Sequence, residues 1–298
     1  MRTGPDKRPL PGTACLWAAR AVTTIWPFRT LRLATYLFEA VPSPSILERE
    51  LFGLRFACDV SRSNAQRLVY LLGESFLPER TLLRPLLRAG AHVVDVGANV
   101  GYYLALWERY VGPSGFIDCI EPEPDNLEEL RHNVNRNRLD NVRIASVAAG
   151  GEDGSGYLRP GINGTLVEPE EGVLSVPIRR LDSLIDGRVD LLKIDVEGYE
   201  GEVLKGAEGL LTRDRPALFI EVHPWLLQSG HTVASLLHSV GGLYGQIEAW
   251  EAFEGSFVRK ALARYGLRRG VRRLPGFDPR VLDKWEGRRT PFWLVCRP

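Results

Sequence analysis

From about residue 90 onward, short apolar runs rich in β-branched residues alternate with segments whose apolar residues recur at helical spacing. Apolar runs of this length are typical of strands that are buried on both faces of a parallel sheet. Five runs fit this pattern: HVVDV (92–96), FIDCI (116–120), VRIASV (142–147), VDLLKID (189–195) and ALFIEV (217–222). Two later runs, LYGQIEAW (243–250) and PFWLVC (291–296), are expected to complete the sheet.

Helical segments separate these runs. The segment 125–137 carries apolar residues at helical spacing, and Asp125 with Glu128 predicts a capping box at its start. The segment 199–211 predicts another helix after the fourth strand. Because strands alternate with helices, the sequence predicts an α/β fold with a mostly parallel, doubly wound sheet and helices on both of its faces.

The N-terminal region has a different character. The run 13–28 is mostly apolar, but Arg20 interrupts it and Pro27 ends it. It therefore falls short of the roughly 18 apolar residues that a membrane-spanning helix needs. We expect residues 1–50 to form a tail and helical extension, and residues 51–298 to form one domain. The extension could dock on that domain or form a homo-oligomer, which we favour, or lie on a membrane surface as an amphipathic helix.

Composition excludes several classes of protein. The chain has 298 residues, 44% of them hydrophobic, and a net charge of +1, which argue against wholesale disorder and against a dedicated nucleic-acid binder. Four scattered cysteines predict neither a disulfide scaffold nor a structural zinc site. They fit a reducing compartment, so we expect a cytoplasmic protein.

The neutral total hides a basic segment, residues 258–289, with 11 Lys/Arg against three Asp/Glu. Two interpretations stay open for this insertion before the last strand. It could be a solvated surface segment, or a lid over the ligand site that would favour an anionic acceptor.

Ligands of open α/β sheets bind at the carboxyl ends of the strands, where the first run is followed by a glycine loop. Gly97 and Gly101 flank Ala98-Asn99-Val100, which is a GxxxG spacing. The third glycine of the dinucleotide fingerprint is missing, so a nicotinamide or flavin dinucleotide is disfavoured. Glu121 ends the second run, where an acidic residue can accept the hydroxyl groups of a ribose. The pair predicts a nucleoside ligand without a long phosphate chain.

The motifs DVGANVGYY, IEPEP, LDSL, LLKIDVEGYEGEVLKGA and FIEVHPW, spread over residues 50–250, resemble those of the FkbM-type methyltransferases. The resemblance implies S-adenosylmethionine as cofactor, the class I Rossmann-like methyltransferase fold, and O-methylation of sugars and natural products. It also implies roles for six residues. Gly97, Asn99 and Gly101 would hold the methionine part of the cofactor, and Asp95 would support their loop. Glu121 would bind the ribose, and Ala148 would lie near the adenine.

Charged residues at the end of the fourth run are the first candidates for the chemistry. Lys193, Asp195 and Glu197 would share one face if the strand continued through all three. Lys193 lies within an apolar run and needs a carboxylate partner, for which Asp195 and Glu221 are the candidates. A purely structural buried ion pair is the alternative role for Lys193.

His223 follows the fifth run directly after Glu221 and Val222. An imidazole titrates near neutrality, so it could act as a general base or be a structural group. We rank Asp195 first as the base, ahead of His223 and Glu197. A divalent metal held by Asp195, Glu197 and Glu221 is a further option that no spacing establishes.

The sequence thus predicts an S-adenosylmethionine-dependent methyltransferase that O-methylates a hydroxyl group of a small-molecule or glycan acceptor, such as a sugar, glycolipid or secondary metabolite. The alternative is an inactive binding module that keeps the fold and uses its N-terminal helices on a membrane surface or a partner. The intact glycine loop and Glu121 favour the enzyme.

Overall fold

A large mixed sheet forms the centre of the computed structural model, which describes residues 46–161, 164–254, 269–278 and 283–298. The strands are β1 (Ile46–Leu51), β2 (Leu54–Asp59), β3 (His92–Val96), β4 (Phe116–Ile120), β5 (Val142–Ala145), β6 (Ala148–Ala149), β7 (Gly154–Arg159), β8 (Thr165–Val167), β9 (Leu174–Arg179), β10 (Leu191–Ile194), β11 (Ala217–Val222), β12 (Gln246–Glu254), β13 (Arg269–Arg273) and β14 (Phe292–Arg297). The α-helices are α1 (Asn64–Leu72), α2 (Arg80–Leu83), α3 (Leu104–Val111), α4 (Pro124–Asn137), α5 (Leu181–Leu184), α6 (Glu200–Lys205), α7 (Glu208–Asp214), α8 (Val233–Gly241) and α9 (Asp283–Glu286).

The strand order of the eight-stranded sheet is β13-β12-β14-β11-β10-β3-β4-β5. Five consecutive strands of this sheet run parallel to one another, namely β11, β10, β3, β4 and β5. Between β11 and β12 lies β14, which is antiparallel to both. The chain moves outward from β3 to β4 and β5, then returns to β10 on the other side of β3. This reversal creates a switch point between β3 and β10, where ligands of such sheets bind.

The predicted α/β class and doubly wound sheet are confirmed, and all seven predicted runs form strands of this sheet. The predicted helix 199–211 is two shorter helices, α6 and α7. The predicted capping box at Asp125 is wrong. The side chain of Glu123 caps α4 by accepting the N–H of Asn126, because Pro124 occupies the first helical position.

Successive side chains of the central strands point to opposite faces of the sheet. On one face, apolar side chains of β3, β10 and β11 pack against α6, α7 and α8 in one continuous core. On the other face lie Asp95, Lys193 and Glu221. Trp107 of α3 is fully buried there and donates from Nε1 to Asp95 Oδ2 at 2.8 Å. Three charged residues of the predicted site, Asp95, Lys193 and Glu221, therefore share one face of the sheet.

A second, four-stranded sheet of order β6-β9-β7-β8 follows β5 in the chain. It has its own small core of Ala148, Leu158 and Val176. No strands were predicted in this region. Its strands are short and mostly exposed on at least one face, so no long apolar run in the sequence indicates them.

Two compact units divide the described chain. The smaller contains residues 46–51 and 55–78 with residues 253–254 of β12 and 269–270 of β13, and the larger contains the other described residues. Within the smaller unit, Ser63 caps α1 by accepting the N–H of Gln66, whose side chain in turn accepts the N–H of Asp59. Local hydrogen bonds thus join β2 to α1.

The predicted helical extension over residues 1–50 falls outside the described residues as far as residue 45. Its last five residues belong to β1 and are not helical. Their exposure alternates from residue to residue, which is the two-residue period of a strand. The division at residue 50 stays a prediction.

Part of the basic segment 258–289 also lies outside the described residues. Of its arginines within them, Arg272 and Arg288 form ion pairs with Glu251 of β12, at 2.6 and 2.7 Å. These contacts attach two arginines of the segment to β12, and both interpretations of the segment stay predictions. Among the residues that the structure describes, no helix combines the length and hydrophobicity that crossing a bilayer requires.

Candidate active site

The glycine loop after β3 packs directly against the chain after β10. Gly97 has φ +76°, and a Cβ there would lie 1.8 Å from the carbonyl oxygen of Asp195. Gly97 is therefore required by the close approach of these two loops at the switch point. Asn99, with φ +52°, and Gly101, with φ +95°, also adopt the left-handed conformation. The loop turns sharply enough to lie across the ends of β3 and β10.

Gly97→Ala is expected to destabilise the protein by about 1–3 kcal/mol, because it adds a backbone clash to the strain of a positive φ. Gly112→Ala is the matched control, since Gly112 has φ +62° and no heavy atom within 4 Å of an added Cβ. Denaturant unfolding should give the Gly97 variant clearly the larger loss. Equal losses would show that the approach of the two loops is not tight.

Glu121 connects the end of β4 to the glycine loop. Its Oε2 accepts the N–H of Asn99 at 2.8 Å, and its Oε1 accepts the N–H of Glu123 at 3.0 Å and the side-chain amide of Asn126 at 3.2 Å. Burial raises the pKa of this carboxyl group, although these hydrogen bonds oppose the shift. A carboxylate has about four lone-pair positions, so the three bonds leave room for about one hydroxyl group of a ligand.

Lys193 forms an ion pair with Asp95, which was not among its predicted partners. Its Nζ lies 3.0 Å from Asp95 Oδ1 and 3.7 Å from Asp195 Oδ2. Asp95 is the register partner of Lys193 on β3, so their side chains share a face of the sheet. Lys193 Nζ also donates to the carbonyl oxygen of Gly97 at 2.9 Å. Burial alone lowers the pKa of Lys193, but the two aspartates raise it overall.

This geometry favours the structural role for Lys193, because it is 1% exposed and neutralises the fully buried Asp95. Asp95 supports the glycine loop indirectly through Lys193 and Gly97. Glu221, the other predicted partner, instead accepts a hydrogen bond from Trp293 Nε1 at 3.0 Å.

The strand β10 ends at Ile194, so the predicted common face of Lys193, Asp195 and Glu197 does not arise from strand alternation. Glu197 has a left-handed backbone, with φ +52°. The turn nevertheless brings Glu197 Oε2 to 3.5 Å from His223 Nε2, and both Asp195 and Glu197 stay about one quarter exposed. The loop after β10 therefore presents two carboxylates where the parallel strands β10 and β11 have their carboxyl ends, which we call the open edge of these strands.

His223 lies beneath these carboxylates. Its side chain is 6% exposed, its Nδ1 lies 3.1 Å from Glu200 Oε1, and its Nε2 lies 3.8 Å from Glu221 Oε1. Burial alone lowers the pKa of His223, but the hydrogen bond with Glu200 and the charges of the other carboxylates raise it to about 9. The raised pKa favours the protonated imidazole at neutral pH, which argues against His223 as the base.

Excess negative charge shapes the protonation of the neighbouring acids. Burial and the charge of Asp195 raise the pKa of Glu221 to about 8. Burial also raises the pKa of Glu79 to about 7, and the Glu79 carboxylate accepts the hydroxyl of Tyr103 at 2.5 Å. The ring of Tyr103 lies over Lys193 Nζ, 4.8 Å from it. Burial, with a contribution from the charge of Asp195, thus favours the protonated forms of Glu79 and Glu221.

Glu79, Tyr103 and Glu200 are members of this network that the sequence analysis missed. Glu79 is more than 100 residues from Lys193 in the chain, and no local spacing connects the two. Tyr103 is the last residue of the motif DVGANVGYY, and Glu200 lies within KIDVEGYEGE, so the motifs themselves could have indicated both residues.

Ala148, which the resemblance places near the adenine, lies in β6 and packs its side chain into the small core of the second sheet. Its part in ligand binding stays a prediction.

The residues that could hold a metal ion differ in one member from the predicted set of Asp195, Glu197 and Glu221. Within the described residues, the donor atoms that converge belong to Asp195, Glu197 and His223, with His223 in the place given to Glu221.

Residues 95–266 match the family model of the methyltransferase FkbM domain, which is more than half of the chain. The match begins with Asp95 and contains the glycine loop, Glu121, the loop after β10 and His223.

Individual proteins give weaker likenesses. The chain is 26% identical over 193 residues to the hexuronic acid methyltransferase AglP of Haloferax volcanii, covering 62% of this chain and 76% of that protein. It is 26% identical over 148 residues to the 2-O-methyltransferase NoeI of Sinorhizobium fredii, covering 41% of this chain and 60% of that protein.

Among solved structures, a methyltransferase FkbM of Methylobacillus flagellatus is similar, with 17% identity and a TM-score of 0.43, over 77% of this chain and 54% of that one. The chain therefore spans less than two thirds of NoeI and of this structural neighbour.

Proposed function

Because the chain belongs to the FkbM methyltransferase family and uses S-adenosylmethionine, we propose that it O-methylates a hydroxyl group, with a sugar, glycolipid or secondary metabolite as the acceptor. Among these a sugar is the first choice. The observation that carries this proposal is the group of carboxylates around Asp195 at the open edge of β10 and β11. The names of the relatives AglP and NoeI agree with a sugar acceptor and with an O-methyl product.

The chemistry of the site fits this cofactor. When bound, S-adenosylmethionine supplies a methyl group that is activated by a positively charged sulfonium. Carboxylates at the ends of β10 and β11 complement positive charge, whereas they would repel the pyrophosphate of a dinucleotide. Glu121 has about one acceptor position left for a ribose hydroxyl, beside the bonds by which it holds the loop.

Methyl transfer is a direct displacement at carbon, so the protein has to align the acceptor oxygen and exclude water. Such alignment can supply roughly 7–11 kcal/mol of the barrier. The hydroxyl must also lose its proton as the new bond forms, and a positioned base adds about 10²–10⁴-fold to the rate. Asp195 has the position for this role, because it follows β10 at the switch point and is a quarter exposed. The pKa of His223 is raised to about 9 by its neighbouring carboxylates and its side chain is almost fully buried, so it is the weaker candidate for the base.

A hydroxyl acceptor suits this site better than a carboxylate acceptor. A carboxylate has no proton to lose and would need no base. It would also add negative charge near Glu79 and Glu221, whose pKa values are already raised to about 7 and about 8, mainly by burial. We therefore expect neutral sugars to be methylated faster than uronic acids.

Purified protein with labelled S-adenosylmethionine and a panel of neutral sugars, uronic acids and their glycosides tests the proposal. Mass spectrometry should find label in neutral sugars, with kcat/KM higher than for the matched uronic acids. Label in uronic acids alone would contradict the preference for an uncharged acceptor. The absence of label from every sugar, with label in a peptide or nucleobase control, would contradict the sugar class.

Glu121→Gln is expected to weaken the binding of S-adenosylmethionine at least about tenfold, because its amide N–H₂ would oppose the N–H groups that the carboxylate now accepts. Glu123→Gln is the matched control, since Glu123 is equally buried and its caps can be kept by an amide oxygen. Calorimetry gives both dissociation constants. Equal values for the two variants would remove Glu121 from the cofactor site.

Trp225→Ala is expected to raise the KM of a sugar acceptor about tenfold, because an exposed indole can stack on the apolar face of a sugar ring. The ring of Trp225 is 37% exposed and lies 5.6 Å, between ring centroids, from His223. Tyr157→Ala removes an aromatic ring of similar exposure, 41%, from the second sheet and should leave KM unchanged. A similar KM for both variants would exclude stacking on Trp225.

A further inference from the structure

Three donor groups of different chemistry converge at the open edge of β10 and β11. Asp195, Glu197 and His223 each offer one ligand atom, and these atoms all lie within 4.8 Å of one another. Two of the residues come from the loop after β10, and the third follows β11. We propose that this cluster binds one divalent cation, with Mn²⁺ as the ion best matched to its ligands.

The histidine is oriented as a metal ligand is. Its Nδ1 lies 3.1 Å from Oε1 of Glu200, and Glu200 is fully buried. The same oxygen also accepts the N–H of Gly198 at 3.0 Å, which fixes the carboxylate. A carboxylate behind the imidazole holds the ring and directs its other nitrogen toward the ion, an arrangement that metal-binding histidines commonly have.

The other nitrogen points at a gap between carboxylates. His223 Nε2 lies 3.5 Å from Glu197 and 3.8 Å from Glu221. Both distances exceed the usual 2.7–3.2 Å or so of an N–H···O hydrogen bond. Donor atoms that surround one ion at about 2.1 Å are about 3–4 Å from each other. The 3.5 Å between His223 and Glu197 lies in this range, and all three donor atoms of the cluster lie within 4.8 Å of one another.

The donor set selects among cations. One imidazole nitrogen beside two carboxylate oxygens suits a first-row transition ion better than Mg²⁺ or Ca²⁺, which prefer oxygen ligands alone. Mn²⁺ accepts both kinds of donor and takes up to six ligands. Asp195 and Glu197 are each about one quarter exposed, so water or an acceptor oxygen could reach an ion bound by their carboxylates.

A proton is the competing occupant of this position. Protonated His223 faces Glu197, Glu200 and Glu221, and an imidazolium would also offset their charge. Metal binding would displace that proton, since a ligating imidazole is neutral. The two occupants therefore differ in a property that can be measured directly, namely whether Mn²⁺ remains bound.

The role of the ion in turnover rests on the proposed function, whereas its binding does not. A cation here would orient the acceptor hydroxyl and make it easier to deprotonate. Asp195 would bind the ion through one carboxylate oxygen and keep the other as the proton acceptor.

The test is an electron paramagnetic resonance titration of the full chain with Mn²⁺, without cofactor or acceptor, in which bound Mn²⁺ loses the sharp signal of the free ion. We expect one bound ion per chain, displaced by Zn²⁺ more readily than by Mg²⁺. Glu197→Gln should weaken Mn²⁺ binding at least about tenfold. Glu202→Gln is the matched control, because Glu202 pairs with His231 at 3.0 Å outside the cluster, and it should bind Mn²⁺ like the native chain.

Binding of S-adenosylmethionine to each variant, measured separately, shows that the fold is intact. Native protein that binds S-adenosylmethionine but retains no Mn²⁺ would overturn the proposal, as would equal weakening in the Glu197 and Glu202 variants. Bound Mn²⁺ without transfer to any sugar would contradict the proposed function and leave the ion site standing. Full transfer in excess chelator would contradict the role of the ion in turnover.

Discussion

Asp195→Asn should lower kcat by about 10²–10⁴-fold while the dissociation constant of S-adenosylmethionine stays within about threefold of the native value. The amide keeps the shape of the side chain but cannot take a proton from the acceptor hydroxyl. Asp195 reaches the open edge of the sheet, whereas Glu121 lies 4% exposed behind the glycine loop. The two carboxylates should therefore separate kinetically, with turnover affected at one and cofactor binding at the other.

Single-turnover and steady-state kinetics at saturating cofactor measure the effect of Asp195→Asn on kcat. Asp186→Asn, at a carboxylate that is 97% exposed, is the control and should keep native kcat. A loss of cofactor affinity as large as that of Glu121→Gln would remove Asp195 from the catalytic role. Recovery of native kcat in excess Mn²⁺ would assign Asp195 to ion binding alone.

Lys193→Met is the change with the largest expected effect on stability. It leaves Asp95, which is fully buried, without the cation 3.0 Å away, and breaking one partner of such a pair costs about 3–5 kcal/mol. It also removes the donor to the carbonyl oxygen of Gly97, so the glycine loop loses a contact that fixes it on β10. We expect both a lower free energy of unfolding and weaker binding of the cofactor.

The double variant Lys193→Met with Asp95→Asn should recover part of the lost stability, because no uncompensated charge is then buried. Trp107 can still donate to the amide oxygen in that variant. Lys205→Met, at a half-exposed lysine that pairs with Glu152, is the surface control and should change the free energy of unfolding far less. Denaturant unfolding of the native chain, of Lys193→Met and Asp95→Asn alone, and of the double variant measures the coupling. Additive effects of the two changes would show that the pair is not coupled.

The sequence was sufficient for the elements of the large sheet, because its strands are continuous apolar runs and the turns between them carry glycine and acidic residues. It was insufficient for pairings that depend on register. Asp95 and Lys193 are neighbours only because β3 and β10 lie side by side, and no local pattern states which residue of one strand faces which residue of the other. The sequence therefore offered Asp195 and Glu221 as partners for Lys193, and only Asp195 is within 4 Å.

Some residues of the site could be predicted from the sequence, and others could not because their contacts depend on tertiary packing. Asp195, Glu197 and His223 follow predicted strands, so their meeting at one edge follows from the topology of a parallel sheet. Glu79 precedes the short helix α2 in a region without periodic strands, and its contact with Tyr103 depends on tertiary packing alone. The strand alternation that linked Lys193 to Glu197 failed because β10 ends at Ile194 and the chain turns there.

The linkage of the transferred methyl group tests the central claim most directly. Protein incubated with labelled S-adenosylmethionine and a sugar acceptor that carries both hydroxyl groups and a carboxylate should yield label in an alkali-stable methyl ether. The Asp195→Asn protein should yield at least about 100-fold less of it in the same time. Label that mild alkali releases, as from a methyl ester, and that forms equally fast without Asp195, would contradict hydroxyl methylation by a base at this position.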